Sequence, residues 1–225
     1  MHILLENVVV RAQDRPILRG IDCVLTERRI GIVGANGSGK STFARLLNGL
    51  VLPDEGRVVV EGLDTTRDVK AVRREVGFVF QNPDNQIVFP IVVEDVAFGL
   101  RNRGHSKSEA RERAAAALDA YGLGHLAERA AHTLSGGEKQ MVALVSVLVT
   151  RPGIVVMDEP TTLLDLRNRN RIRDAVAALE QPAIVVSHDL DLLSDFDRVL
   201  VVADGRIAYD DRPEPAIRRY VEAFS

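Results

Sequence analysis

The residues Gly34-Ala35-Asn36-Gly37-Ser38-Gly39-Lys40-Ser41 set three glycines, a lysine and a hydroxyl at the spacing of a phosphate-binding P-loop, between an apolar run at 30–33 and an amphipathic stretch at 42–50. Glycines let the backbone curl until its N–H groups converge on phosphate oxygens, and the start of the following helix adds positive potential there. Lys40 is long enough to reach terminal phosphates, the Ser41 hydroxyl can ligate Mg²⁺, and Thr42 completes the candidate phosphate contacts, Gly34 through Thr42. Farther on, Ile154-Val155-Val156-Met157-Asp158-Glu159 ends an apolar run in two carboxylates. Asp158 suits the surroundings of a metal ion, and Glu159 just beyond it can polarise an attacking water. A third stretch, Leu134-Ser135-Gly136-Gly137-Glu138-Lys139-Gln140, reads physically as a helix start with Ser135 as its cap.

These groups need a scaffold, and the runs at 29–33, 76–80, 154–157 and 183–186 supply one. They are nearly continuous Val and Ile without polar alternation, the pattern of strands covered on both faces, and so predict an α/β core with a mainly parallel sheet. Residues 3–10 and 17–25 alternate instead, like antiparallel strands, and 58–61 can join them. Between 90 and 131 the pattern turns helical, with Ser106 or Ser108 as cap, an Ala-, Arg- and Glu-rich stretch at 109–121, and Gly122 and Gly124 as terminators. Near the end, 199–202 and 206–209 flank Asp204-Gly205, the signature of a type I′ hairpin, and a short helix is expected at 215–224.

Composition narrows the function classes. Hydrophobic residues make up 46% and charged residues 27% of the 225-residue chain, so it folds as one globular domain rather than remaining disordered. A net charge of -3 gives no basic footprint for nucleic acid. Cys23 is the single cysteine, which excludes an intrachain disulfide, fits a reducing compartment and reads as a small core residue. The first ten residues lack a secretory pattern, and the longest apolar run, 141–149, is about half of a spanning helix, so a membrane link is expected to run through a partner.

With a phosphate loop and an acidic strand in the same chain, Leu134 to Gln140 gives the sequence a specific resemblance to the ABC transporter ATPases, whose signature sequence it matches. The resemblance extends over nearly the whole chain. It implies one ATPase domain, 1–225, with a P-loop NTPase (RecA-like) core, an N-terminal antiparallel β part at about 1–28 and 56–62, and an inserted α-helical part at about 90–150. It implies ATP and Mg²⁺ as cofactors, Lys40, Gln81, Glu159 and His188 as catalytic residues, and Ser41, Gln81 and Asp158 around the metal. Gln81 matches the Q-loop glutamine, which also senses a transmembrane partner; Thr161 to Asp165 matches the D-loop, which crosses the dimer interface; His188 matches the switch histidine. Ser135, Gly136 and Gly137 would face the γ-phosphate held by a second ATPase subunit, identical or not. One landmark departs from the pattern. Ala12 stands where relatives stack adenine on an aromatic residue, so base selectivity is expected to be modest, with the Arg11 guanidinium plane as a substitute platform.

Within the family, Gln81-Asn-Pro-Asp-Asn-Gln-Ile-Val-Phe89 and Val93-Glu-Asp-Val-Ala-Phe-Gly99 resemble the ATPases of energy-coupling-factor (ECF) vitamin and metal importers, where this segment receives coupling helices of a transmembrane subunit. The short tail after the hairpin is similar to the compact biotin uptake ATPases. The resemblance implies a peripheral protein at the cytoplasmic face of the membrane, with a transmembrane coupling subunit and a substrate-binding membrane subunit as partners. A cobalt or nickel importer ATPase, a soluble ABC clamp on DNA or ribosomes, and a P-loop kinase are the competing readings; the signature sequence opposes the last. Arg167, Arg169, Arg171 and Arg173 spread round a helix without interleaved aromatics and so predict a solvated or interfacial helix rather than a nucleic-acid site.

Overall fold

Alternating apolar and polar residues near the N-terminus build two long antiparallel strands, β1 (Ile3–Ala12) and β2 (Arg15–Leu25), paired from Ile3 opposite Leu25 to Ala12 opposite Arg15. The computed structural model describes every residue except Asp14 and Ser225, and of Phe224 the backbone alone. The chain continues through β3 (Arg29–Val33), α1 (Lys40–Leu46), β4 (Glu55–Val60), β5 (Leu63–Asp64), α2 (Val69–Glu75) and β6 (Val76–Val79). Then come α3 (Val92–Asn102), α4 (Lys107–Ala120), α5 (Gly136–Leu148), β7 (Ile154–Asp158), α6 (Leu166–Ala177), β8 (Ala183–Val186), α7 (Leu190–Leu193), β9 (Arg198–Ala203), β10 (Arg206–Asp211) and α8 (Pro213–Phe224). Two compact units result, one of residues 1–78, 153–159 and 178–225, the other of 79–152 and 160–177.

The first unit carries both sheets. One is antiparallel in the order β2-β1-β4-β5, and the other runs β10-β9-β3-β8-β7-β6, with β9, β3, β8 and β7 mutually parallel. This is the α/β arrangement that the apolar runs imply: Ile30, Ile32, Val155, Val156, Ile184 and Val185 are buried, as strands covered on both faces require. The β9–β10 hairpin turns at Asp204 and Gly205 with φ of 49° and 74°, the two positive values of a type I′ turn. Arg198 ties the hairpin to the end of β2: its guanidinium donates to both Asp210 oxygens at 2.6 Å, to Glu27 at 3.0 Å and to the Val24 carbonyl at 2.8 Å. Cys23 lies beside that guanidinium, and burial pushes its thiol up to about 11 despite the cation, so it stays protonated at neutral pH.

Helices dominate the second unit. Ser106, of the two candidate caps, accepts from the Glu109 N–H at 3.2 Å and starts α4, which ends before Gly122 at φ 70°. α5 is buried around its whole circumference from Met141 to Val145. In α6 the buried side is Ile172, Ala175 and Val176, and the four arginines fall in two i,i+4 pairs, Arg167 with Arg171 and Arg169 with Arg173. Among the described residues no helix is long and apolar enough to cross a membrane.

Candidate active site

The phosphate loop joins β3 to α1 by close backbone approach. A Cβ on Gly34 would fall 2.1 Å from the Val202 carbonyl oxygen, and one on Gly39 would fall 2.8 Å from Leu18 Cδ2, with Gly39 at φ 104°. Only glycine fits either place. Gly39 caps a helix that starts at Lys40, two residues before the expected stretch, and stops at Leu46, because Gly49 at φ 67° ends the turn that follows. Lys40 is buried, and its ammonium donates to the carbonyls of Gly34 at 2.7 Å and Ala35 at 2.9 Å. Burial lowers its proton affinity, while the carboxylates of Glu159 and Asp158 act in the opposite sense. The Ser38 hydroxyl is buried with no hydrogen-bond partner among the described residues, a donor suited to a phosphate oxygen.

At the end of β7 the two carboxylates separate. Asp158 is fully buried and accepts from the Ser41 hydroxyl at 2.8 Å on Oδ1, while Arg45, one turn farther along α1, lies 3.4 Å from Oδ2. Glu159 turns away with φ 53°, a left-handed backbone that costs a non-glycine residue free energy; its N–H donates to the Val186 carbonyl at 2.9 Å. Its carboxylate accepts from the His188 backbone N–H at 3.2 Å, and His188 Nε2 lies 3.3 Å from the other oxygen. Lys40, Ser41, Asp158, Glu159 and His188 are thus gathered within one compact unit. A serine hydroxyl hydrogen-bonded to a buried aspartate is a hard-oxygen pair of the kind that holds Mg²⁺ with nucleotide phosphates, so the residues present fit that ion.

Gln81, Ser135, Gly136 and Gly137 belong to the second unit. There a cavity of about 390 Å³ is lined by Gln81, Pro83, Gly136, Lys139, Gln140 and Leu164. Ser135 caps α5 in a reciprocal capping box: its hydroxyl accepts from the Glu138 N–H, and Glu138 accepts from the Ser135 N–H at 2.7 Å. The two glycines differ. Gly136 is open, whereas a Cβ on Gly137 would fall 2.2 Å from Asn168 Cγ. In the loop 161–165, Leu163 has φ 63° and a wholly exposed side chain. Arg11, the candidate base platform, has its guanidinium paired with Glu55 and its N–H on Asp54. Arg45 and Asn168 lie outside every motif, and only folding brings them to the motifs, whereas Gln86 and Gln140 fall inside the stretches 81–89 and 134–140, which assign them no role.

The ABC transporter family profile matches residues 23–162. The chain is 57% identical over 223 residues to an inferred ABC transporter ATP-binding protein of Deinococcus radiodurans, covering 99% of each. It is 50% identical over 222 residues to the biotin transport ATP-binding protein of Rhizobium etli, again covering 99% of each. Among solved structures it is similar to a dimeric ATP-binding cassette in a post-hydrolysis state bound to ADP and phosphate, with a TM-score of 0.85 and 27% identity over 94% of this chain and 99% of that one.

Proposed function

The chain belongs to the ABC transporter ATPase family, and from that premise we propose that it powers an ECF-type importer of biotin, paired with a second copy of itself on the cytoplasmic side of membrane subunits. The observation that carries the catalytic part of this reading is the cluster of Lys40, Ser41, Asp158, Glu159 and His188. With ATP in the loop, Lys40 exchanges its loop carbonyls for terminal phosphate oxygens, and backbone N–H groups of 34–42 meet the remaining charge. Ser41 and Asp158 would hold Mg²⁺, which would neutralise charge on the phosphates, and Gln81 is the third contact that the resemblance assigns. Glu159 takes a proton from water as the water oxygen bonds to the γ-phosphorus and the bond to the bridging oxygen of ADP breaks. His188 holds the Glu159 carboxylate in place. Ser135 to Gly137 serve the nucleotide of the partner copy, so ATP closes the pair and hydrolysis opens it.

The biotin assignment is supported by half-identity over the full length to a biotin transport ATP-binding protein. Reconstituted in liposomes with the hydrophobic subunits that co-purify with it, the chain is expected to drive ATP-dependent uptake of labelled biotin, and its Glu159→Gln variant to leave biotin outside. Uptake of cobalt or nickel in place of biotin would reassign the solute. Recovery with ribosomes or DNA instead of membrane subunits would remove the importer reading.

A further inference from the structure

Phe80, the residue before Gln81, is held at both of its backbone polar groups by glutamine side chains. The sequence run 76–80 predicts one strand, but β6 stops at Val79, and the Phe80 N–H donates to Gln86 Oε1 at 3.2 Å while its carbonyl accepts from Gln140 Nε2 at 3.3 Å. Gln86 is itself fastened to α5, its Nε2 donating to the Ala143 carbonyl at 2.6 Å and to the Ser146 hydroxyl oxygen at 3.0 Å. Lys139 makes a parallel tie, with Nζ 2.6 Å from Asp84. Gln140, Ala143 and Ser146 follow one another at three-residue spacing and so share a face of α5. Gln140 is only 3% exposed, and a primary amide buried that deeply costs free energy unless its hydrogen bonds are made. Leucine would fill a helix interior at less cost. What the amide adds is the bond to Phe80.

We propose that Gln140 and Gln86 are positioning residues that lock the Gln81 loop to α5, the helix whose first turn presents Gly136. The inference rests on the reading of Gln81 as a contact of its own copy's nucleotide site and of Ser135 to Gly137 as contacts of the partner's. On that reading, a shift of Gln81 at one site becomes a shift of the signature helix at the other, carried by these four hydrogen bonds. The tie also explains why Gln86 sits five residues beyond Gln81: the intervening turn at Pro83–Asn85 brings its side chain back to Phe80.

The test is a double-mutant cycle on the full chain, with ATP binding measured by equilibrium titration beside turnover. Gln81→Ala and Gln140→Leu are each expected to lower kcat about tenfold and to raise the Mg²⁺ concentration for half-maximal rate by a common factor, with Kd for ATP within about twofold of wild type. The double variant is expected to be no slower than Gln81→Ala alone. Gln86→Leu, at a half-buried position, is expected to repeat the Gln140→Leu pattern with an unchanged melting temperature, and it carries the test if Gln140→Leu does not fold. Multiplying losses in the double variant, or unchanged kcat and Mg²⁺ dependence in Gln140→Leu and Gln86→Leu, would overturn the proposal while leaving the role of Gln81 intact. An unaffected Gln81→Ala would instead remove the reading of Gln81, and the proposal with it.

Discussion

Glu159 and Asp158 are adjacent in sequence, yet the left-handed turn at Glu159 gives them different partners. Asp158 is locked on Ser41 inside the core, whereas Glu159 is aimed at His188. With Glu159 as the proposed proton acceptor, Glu159→Gln keeps the shape and removes that function, so ATP binding by titration is expected to be unchanged and phosphate release to fall by about two to four orders of magnitude. Arg45 lies outside every motif but places a half-exposed cation on Asp158 Oδ2. If Asp158 holds a divalent ion as proposed, that charge would compete with the ion for the same carboxylate. Arg45→Met is therefore expected to tighten Mn²⁺ binding to the ATP-loaded chain severalfold in an electron paramagnetic resonance titration; weaker binding would mean that Arg45 orients the carboxylate rather than competing for it.

The first turn of α5 shows how an element presents such residues. Glu138 is held below the usual carboxylate range, chiefly by the Ser135 backbone N–H. A depressed carboxylate contributes stability that is present above its ordinary value of 4.5 and is lost as pH falls through the folded one. In thermal melts Glu138→Gln is thus expected to lower the melting temperature at pH 7, with the gap to wild type closing as pH falls below about 4.5. Gly137→Ala drives a methyl into Asn168 and is expected to cost about 1–3 kcal/mol in denaturant titrations, most of it recovered by adding Asn168→Ala. Much of the positioning was legible in the sequence. The runs at 29–33 and 183–186 became strands with those same limits, and Ser135 became a cap, because apolar runs and capping residues act locally. α2 was not legible, since within its seven residues only Val72 is buried and the apolar period has no length to show itself. The closure of Gly137 by Asn168 was equally hidden, because it joins residues 31 apart in sequence through the packing of two helices.

At the scale of the molecule, chemistry and signature fall in different compact units. Lys40, Asp158, Glu159 and His188 lie in one, Gln81 and Ser135 to Gly137 in the other. The sequence shows both sets of motifs but not this partition, because the chain passes from the first unit to the second and back twice. The proposed function has each copy lend its signature helix to its neighbour's phosphate loop, and the similar cassette bound to ADP and phosphate is itself dimeric.

Complementation between two dead variants tests that shared site most directly. Lys40→Ala removes the phosphate contact and Ser135→Arg blocks the signature turn, and each alone is expected to be inactive. In a mixed pair, the intact loop of the second variant meets the intact signature of the first, restoring one of the two sites. Equal mixing is therefore expected to return about a quarter of wild-type ATPase activity, since half of randomly formed pairs are mixed and each holds one working site. No recovery from pairs shown to be mixed, or full activity in Ser135→Arg alone, would contradict a nucleotide site built from two copies.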